Sequence, residues 1–201
     1  MPVQTAPTPT LAYYATHAAA FAESTADVEF STTQNRFASL LTPGAHILDY
    51  GCGSGRDAKH FLNEGFAVTA IDGSPELVQI AQERTGLPVR HELFCDLTDV
   101  NTYDGIWACS SILHVPKDEL GDIFTRMSRA LVEGGVIYTS FKHGTFEGMR
   151  NGRYFLDFTE PNFREFIDHM PNLVIEDLWV SADVRPGRER EQWLNVLLRK
   201  Q

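Results

Sequence analysis

From residue 46 onward the apolar positions fall into short β-like runs separated by stretches with helical spacing. Residues 46–50, 67–72, 89–94, 103–110 and 136–141 read as strands, and residues 57–64, 75–85 and 117–131 as the helices between them. Pro75 stands where the second of these helices opens, because a fixed φ and a missing N–H cost nothing at a first helical position. Strands alternating with helices imply right-handed crossovers and a parallel sheet covered on both faces. The tail breaks this rhythm. A helix is expected over 159–170, followed by strands over 173–181 and 192–199. Only a turn around Arg185-Pro-Gly-Arg188 joins those two strands, and so short a connection fits a hairpin rather than a crossover.

The pattern therefore predicts one α/β domain over residues 1–201, a Rossmann-like, doubly wound, mostly parallel seven-stranded sheet with an antiparallel last strand and helices on both faces. Ahead of it, residues 1–10 are rich in Pro and Thr and are expected to be mobile, with order beginning near Leu11. Residues 11–41, rich in Ala and Phe, read as two short helices forming a lid, with Ser24 and Asp27 as candidate N-caps.

Composition narrows the function. The 43% hydrophobic and 22% charged content is that of an ordinary globular chain, and no run of ~18 apolar residues is present to span a bilayer. A net charge of −10 argues against general nucleic-acid binding, which rests on clustered Lys and Arg. Basic groups are concentrated late, however: residues 1–141 hold 8 basic and 17 acidic side chains, residues 142–201 hold 9 and 10. The first basic residue is Arg36, so the positively charged start of a secretory signal is missing and a cytoplasmic location is expected. Cys52, Cys95 and Cys109 form no CxxC pair and are expected to be reduced thiols. No compact His, Asp and Glu cluster has metal-ligand spacing.

The chemistry is carried by Asp49-Tyr-Gly51-Cys-Gly53-Ser-Gly55-Arg56-Asp57, where a strand turns into a helix. Glycines there let backbone approach a ligand, and the helix start offers unpaired N–H groups. A phosphate-binding GxxxxGK[ST] is absent, and a dinucleotide GxGxxG fails because Arg56 occupies the final position. Asp72 ends the second strand 21 residues past Gly51, where a carboxylate can accept from ribose hydroxyls. An adenosine-containing ligand without pyrophosphate is favoured.

These residues resemble the class I S-adenosylmethionine-dependent methyltransferases, whose first motif is an acidic residue followed by GxGxG, here Asp49 with Gly51, Gly53 and Gly55. Asp72-Gly73-Ser74-Pro75, Phe94-Cys-Asp96-Leu97 and the segment from Tyr103 through Ser110 and His114 to Pro116 match later family segments in the right order. In size and in its Gly-Ser-Gly-Arg-Asp loop the chain is also similar to short members labelled tellurite-resistance methyltransferases. The resemblance implies S-adenosylmethionine as cofactor and S-adenosylhomocysteine as product. It implies that the loop around Gly51, Cys52 and Gly53 holds the methionine part, with Arg56 toward its carboxylate. Asp72, with Gly73 and Ser74, would hold the ribose, Asp96 and Leu97 the adenine, and the Ser110 backbone the methionine amine.

Structural readings stand beside these roles: Asp57 as favourable charge in a first helical turn, Asp96 as a cap, Cys52 and Cys109 as core fillers. Methyl transfer is an in-line displacement needing alignment and exclusion of water, and a base only where the acceptor must lose a proton. His114 is the candidate base, with a hydrogen-bonded structural histidine as the plainer alternative. Tyr14, Lys142, Arg153 and Arg185 are candidates for binding a small anionic acceptor, under a lid made by Tyr13, Tyr14, Phe21 and the loop 142–154. The alternatives are a non-catalytic S-adenosylmethionine-binding protein and, on motif grounds less well matched, a nicotinamide-dependent oxidoreductase.

Overall fold

The computed structural model describes residues 8–26, 28–185 and 187–201. Helices α1 (Pro9–Thr25) and α2 (Ser31–Ala38) lead into strand β1 (His46–Tyr50), helix α3 (Arg56–Asn63), strand β2 (Ala67–Asp72), helix α4 (Pro75–Thr85) and strand β3 (Arg90–His91). Then come β4 (Tyr103–Ala108), α5 (Lys117–Ala130), β5 (Leu131–Lys142), β6 (Glu147–Arg150), β7 (Arg153–Leu156), α6 (Glu160–Ile167), β8 (Leu173–Ala182) and β9 (Gln192–Lys200). Seven strands form one sheet in the order β3-β2-β1-β4-β5-β9-β8, parallel except for β9. The antiparallel last strand expected from the sequence is present. It lies inside the sheet, between β5 and β8, rather than at its edge.

Alternation along the strands builds the two faces. Leu48, Tyr50, Ile106 and Ile137 face α5 and α6, whose Phe124, Met127 and Phe163 are fully buried against them. Their neighbours Ile47, Trp107, Val136 and Tyr138 face the other way, against Phe37 of α2 and Phe61 of α3. Trp107 stacks on Tyr138 with ring centroids 4.1 Å apart. Chain order reverses between β1 and β4, which opens the crevice at their carboxyl ends where ligands of such sheets bind.

Several expectations need correction. α1 is 17 residues long and starts before Leu11, because Pro9 occupies its first turn and the Thr8 hydroxyl accepts from Leu11 N. Residues 1–7 and the candidate cap Asp27 lie outside the described residues. Ser24 caps no helix start; its hydroxyl donates to the Phe21 carbonyl inside α1. α2 is core rather than lid, since Phe37 is fully buried. The strand over 89–94 shrinks to Arg90–His91, because the chain turns into a 3-10 helix at Phe94–Asp96 and seats the Phe94 ring on Tyr50. β4 stops at Ala108, ahead of Ser110, whose φ of 52° leaves the extended region. β5 begins five residues before residue 136, and α6 is shorter at both ends than 159–170. Finally, the loop 142–154 holds a second, two-stranded sheet of β6 and β7. Its turn is Asn151-Gly152, both with positive φ, the dipeptide most suited to a two-residue hairpin connection, so its signal was present in the sequence. Among the described residues no helix is long and apolar enough to cross a membrane.

Candidate active site

A cavity of about 1070 Å³ opens at the carboxyl ends of β1, β2, β4 and β5, slightly above the range of ~300–1,000 Å³ usual for one small ligand. It divides chemically into two ends.

The first end is built by the loop after β1. Gly51, Gly53 and Gly55 all have positive φ, and at Gly51 a Cβ would stand 2.6 Å from that of Ser111. Only glycine gives both the backbone conformation and the close approach. Two donors tie the loop to β2, since Gly51 N and Cys52 N both donate to the Ile71 carbonyl. The Asp72 carboxylate, buried at the end of β2, accepts from Gly53 N and Ser74 N at 2.8 Å each. It thereby fixes the glycine loop and the start of α4 while keeping lone pairs for a ligand. Burial pushes its pKa up, and the Ser74 and Gly53 amides oppose that rise.

Beneath the loop, Asp57 is a buried hub. It accepts from Gln34 Nε2, Trp107 Nε1 and the Arg56 guanidinium at 2.8–3.0 Å. Burial opposes its ionisation, yet Arg56, Trp107 and Gln34 together hold its pKa below the usual carboxylate range. Asp49 is the contrasting neighbour: burial and the Asp57 charge push its pKa well up. Its Oδ2 is buried with no hydrogen-bond partner among the described residues, and its side chain lines the cavity. An orphaned acidic oxygen beside backbone N–H groups suits a ligand carrying an ammonium. Burial also raises the thiols of Cys52 and Cys109, the latter to about 12, so both stay neutral, and all three cysteines are free.

The second end is framed by α1, the β6–β7 hairpin and the β8–β9 turn. α1 crosses the mouth, with Phe21 against Gly53 and Leu11 against Gly73. It is latched to the hairpin, because Tyr154 N donates to Thr10 Oγ1 and Gly152 meets the Tyr13 ring. His114 Nδ1 lies 2.6 Å from the Tyr154 carbonyl, its Nε2 lies 3.3 Å from Tyr14 Oη, and Arg153 donates to the same Oη at 3.1 Å. Burial, with the Arg153 charge adding to it, lowers the His114 pKa to about 4 against the Tyr154 hydrogen bond that raises it. The ring is therefore neutral at neutral pH. Burial keeps the Tyr14 phenol protonated despite the nearby guanidinium.

The cations at this end differ in what they already hold. Lys142 is paired with Asp183 and Glu191, and Arg185 bridges Asp183, which also accepts from Trp193 Nε1. Arg150 is paired with Asp157 and Arg188 with Glu191. Lys142 and Arg185, read from the sequence as anion binders, thus have their charge balanced within the chain. Arg153 differs. It is half-buried, forms no ion pair among the described residues, and its Nε is a buried donor without a partner. Its guanidinium lies over the rings of Tyr13 and Phe155, at 4.7 and 5.1 Å.

Of the sequence-derived candidates, Asp49, Gly51, Cys52, Gly53, Arg56, Asp72, Gly73 and Ser110 line the first end, and Tyr14, His114, Lys142, Arg153 and Arg185 line the second. Three others do not line the cavity. Ser74 caps α4, Asp96 is exposed and accepts from Leu93 N to close the 3-10 turn, and the Leu97 side chain is fully buried in the core. Sequence reasoning missed Phe30, whose ring receives the Arg56 guanidinium at 5.2 Å, and the hub role of Asp57, whose partners come from distant segments and leave no local signal.

Sheet order and site together define a nucleoside-cofactor enzyme of the doubly wound class. The methyltransferase domain family matches residues 47–135. An uncharacterized methyltransferase of Staphylococcus carnosus is 26% identical over 85% of this chain and 85% of its own. A ubiquinone biosynthesis O-methyltransferase of Methylocella silvestris is 31% identical over 57% of this chain, the match spanning 46% of that relative's length. The crystal structure of Burkholderia thailandensis 1,6-didemethyltoxoflavin-N1-methyltransferase, with 1,6-didemethyltoxoflavin and S-adenosylhomocysteine bound, superposes with a TM-score of 0.70 at 25% identity, covering 100% of this chain and 94% of that one. The matched domain and these relatives support the class I S-adenosylmethionine-dependent methyltransferase superfamily for this chain, with S-adenosylmethionine as cofactor.

Proposed function

We propose that this enzyme methylates a small anionic acceptor, seated with its anionic group on Arg153. The observation that carries the reading is that half-buried guanidinium, with an orphaned Nε and no carboxylate partner among the described residues, while Lys142, Arg150 and Arg185 of the same cavity are ion-paired and Arg190 is exposed. A partly buried cation without a counterion gains from a ligand that supplies the missing charge. The curated O-methyltransferase relative extends well beyond the matched region, so its acceptor is no guide to this one.

The cofactor, when bound, supplies an electrophilic methyl group on its sulfonium. In this reading the Asp49 carboxylate and the glycine loop hold its amino-acid end, and Asp72 accepts from the ribose hydroxyls. The Ser110 backbone, held in its left-handed turn by a 2.9 Å bond from its N–H to Ser140 Oγ, lines the transfer point. α1 and the β6–β7 hairpin exclude water and set the acceptor's angle of approach, which for an in-line displacement is most of the catalytic task. Lys142, Arg185 and Asp183 act as a rigid wall at the far side.

The test is a screen for transfer of labelled methyl to small carboxylic and phosphoric acids beside their neutral amide or ester isosteres. Acids are expected to be turned over in preference to isosteres. Arg153→Met is expected to lower kcat/KM for an acid by ~10–100-fold, the loss of about 1.5–3 kcal/mol for a charged hydrogen bond, while S-adenosylhomocysteine affinity stays unchanged. Equal turnover of an acid and its neutral isostere would remove the anionic acceptor from the account.

A further inference from the structure

We propose that Tyr14 and His114 form a proton relay for an acceptor whose reacting O–H or N–H sits at Tyr14 Oη, and that the acceptor's own anionic group on Arg153 arms it. This deepens, and rests on, the anionic-acceptor reading. The geometry fixes the direction of the relay. A carbonyl only accepts, so His114 Nδ1, 2.6 Å from the Tyr154 oxygen, carries the ring proton. The lone pair of the neutral ring is therefore on Nε2, and Tyr14 O–H donates to it across 3.3 Å. Arg153 donates to one lone pair of Tyr14 Oη, which leaves one acceptor position on that oxygen, in a side chain that lines the cavity. A substrate O–H or N–H meets that position.

The balance of the step is complete within these groups. The acceptor's oxygen or nitrogen forms its bond to the transferred methyl, and the electron pair of the broken bond stays on the leaving sulfur. The acceptor's proton passes to Tyr14 Oη while Tyr14 hands its own proton to His114 Nε2. The positive charge lost from sulfur reappears on the imidazolium, which returns its proton through Tyr14 to water once product leaves. An acceptor that arrives already ionised at its reacting atom gains nothing from the relay, so the substrate class is a small acid bearing a separate neutral hydroxyl or neutral N–H group.

Arg153 makes the relay conditional. Among the described residues, the charged or titratable groups facing His114 are Tyr14 from α1 and Arg153 from β7, and the Phe155 ring packs edge-on at 4.9 Å. Burial and the Arg153 charge disfavour the imidazolium, and Asp72 bears on the pair only through Tyr14. An anion on Arg153 cancels the opposing charge and adds a favourable one, so His114 takes a proton more readily when an acid is in place. Neutral isosteres then fail in kcat as well as in KM.

The experiment follows the His114 ring and the Arg153 Nε–H by NMR in the full chain saturated with S-adenosylhomocysteine, using ¹⁵N-labelled histidine and arginine and benzoate as the anion probe, with His114→Gln and Arg153→Met to identify the signals. Without benzoate the ring is expected as the Nδ1–H tautomer, titrating near pH 4. Benzoate is expected to raise that midpoint by about 1 pH unit or more, and Arg153→Met to raise the benzoate-free midpoint and abolish the response. An Nε2–H tautomer, or benzoate that perturbs the Arg153 Nε–H signal without moving the His114 midpoint, overturns the relay and leaves the anionic reading standing. Benzoate that leaves Arg153 itself unperturbed overturns the anionic reading and the relay with it. Tyr14→Phe supplies an independent check: it should keep the benzoate-induced signal at Arg153 while lowering kcat more than KM for any acid found in the screen.

Discussion

Asp57→Ala is expected to lower stability by about 3–5 kcal/mol, the usual cost of removing one partner from a buried ion pair. For a chain of this length that is a Tm lower by roughly 10 °C. The reason is the company Asp57 keeps. Gln34 Nε2, Trp107 Nε1, Arg56 Nε and Arg56 Nη2 all donate to it, and among the described residues no other acceptor is bonded to these four atoms. Asp57→Asn keeps an oxygen for Trp107 but not the charge for Arg56, and should cost less. Acid titration separates the two effects. Because the folded state holds the Asp57 pKa down, its stabilisation is complete above the unfolded value of ~3.9 and is lost as pH falls through the folded one. Asp57→Asn should lack that part of the acid slope. Denaturant melts at pH 7 and at about pH 3 read both quantities, and a wild-type slope unchanged in Asp57→Asn contradicts the hub.

Gly51→Ala is the second large expectation, and it strikes cofactor binding and folding together. With φ at +81°, an L side chain is strained, and its Cβ would lie 2.6 Å from Ser111 Cβ. Ser111 cannot give way freely, because it is buried and its hydroxyl donates to the Tyr50 carbonyl at 2.7 Å. Backbone strain of ~1–3 kcal/mol and overpacking of similar size point to a loss of about 2–5 kcal/mol. The loop must shift to relieve this, and S-adenosylhomocysteine affinity should fall by at least ~10-fold. Gly65→Ala is the control, since its φ is also positive but a Cβ there meets nothing within 4 Å. Equal effects at the two positions would mean that strain alone matters and that close approach at Gly51 does not.

Strand and helix periodicity carried most of the sheet, because β1, β2, β4 and β5 are set off by the helices α3, α4 and α5, and each element buries a readable face. What escaped has physical causes. β3 is two residues long because the following turn is held by Asp96 and by the Phe94 ring on Tyr50, contacts that no local pattern encodes. The β6–β7 hairpin was legible in Asn151-Gly152 but lay among residues read for their charge. The glycine loop and Asp72 were legible because their chemistry is local to two strand ends. Lys142 is balanced by Asp183 and Glu191, 41 and 49 residues away, which only the fold brings to it, whereas the partner of Arg185 is Asp183, two residues away and so within reach of a local reading. Charge counting along the chain sees three candidate cations where the structure leaves one without a counterion.

The most direct test of the account is calorimetric titration of S-adenosylhomocysteine into the wild-type chain and into Asp72→Ala, with NAD and ATP as controls. The account expects the wild type to bind S-adenosylhomocysteine and neither control. It expects folded Asp72→Ala to bind at least ~10-fold more weakly, since each charged hydrogen bond to ribose contributes about 1.5–3 kcal/mol. A wild type that binds NAD in place of S-adenosylhomocysteine, or a folded Asp72→Ala that binds as tightly as the wild type, would contradict it.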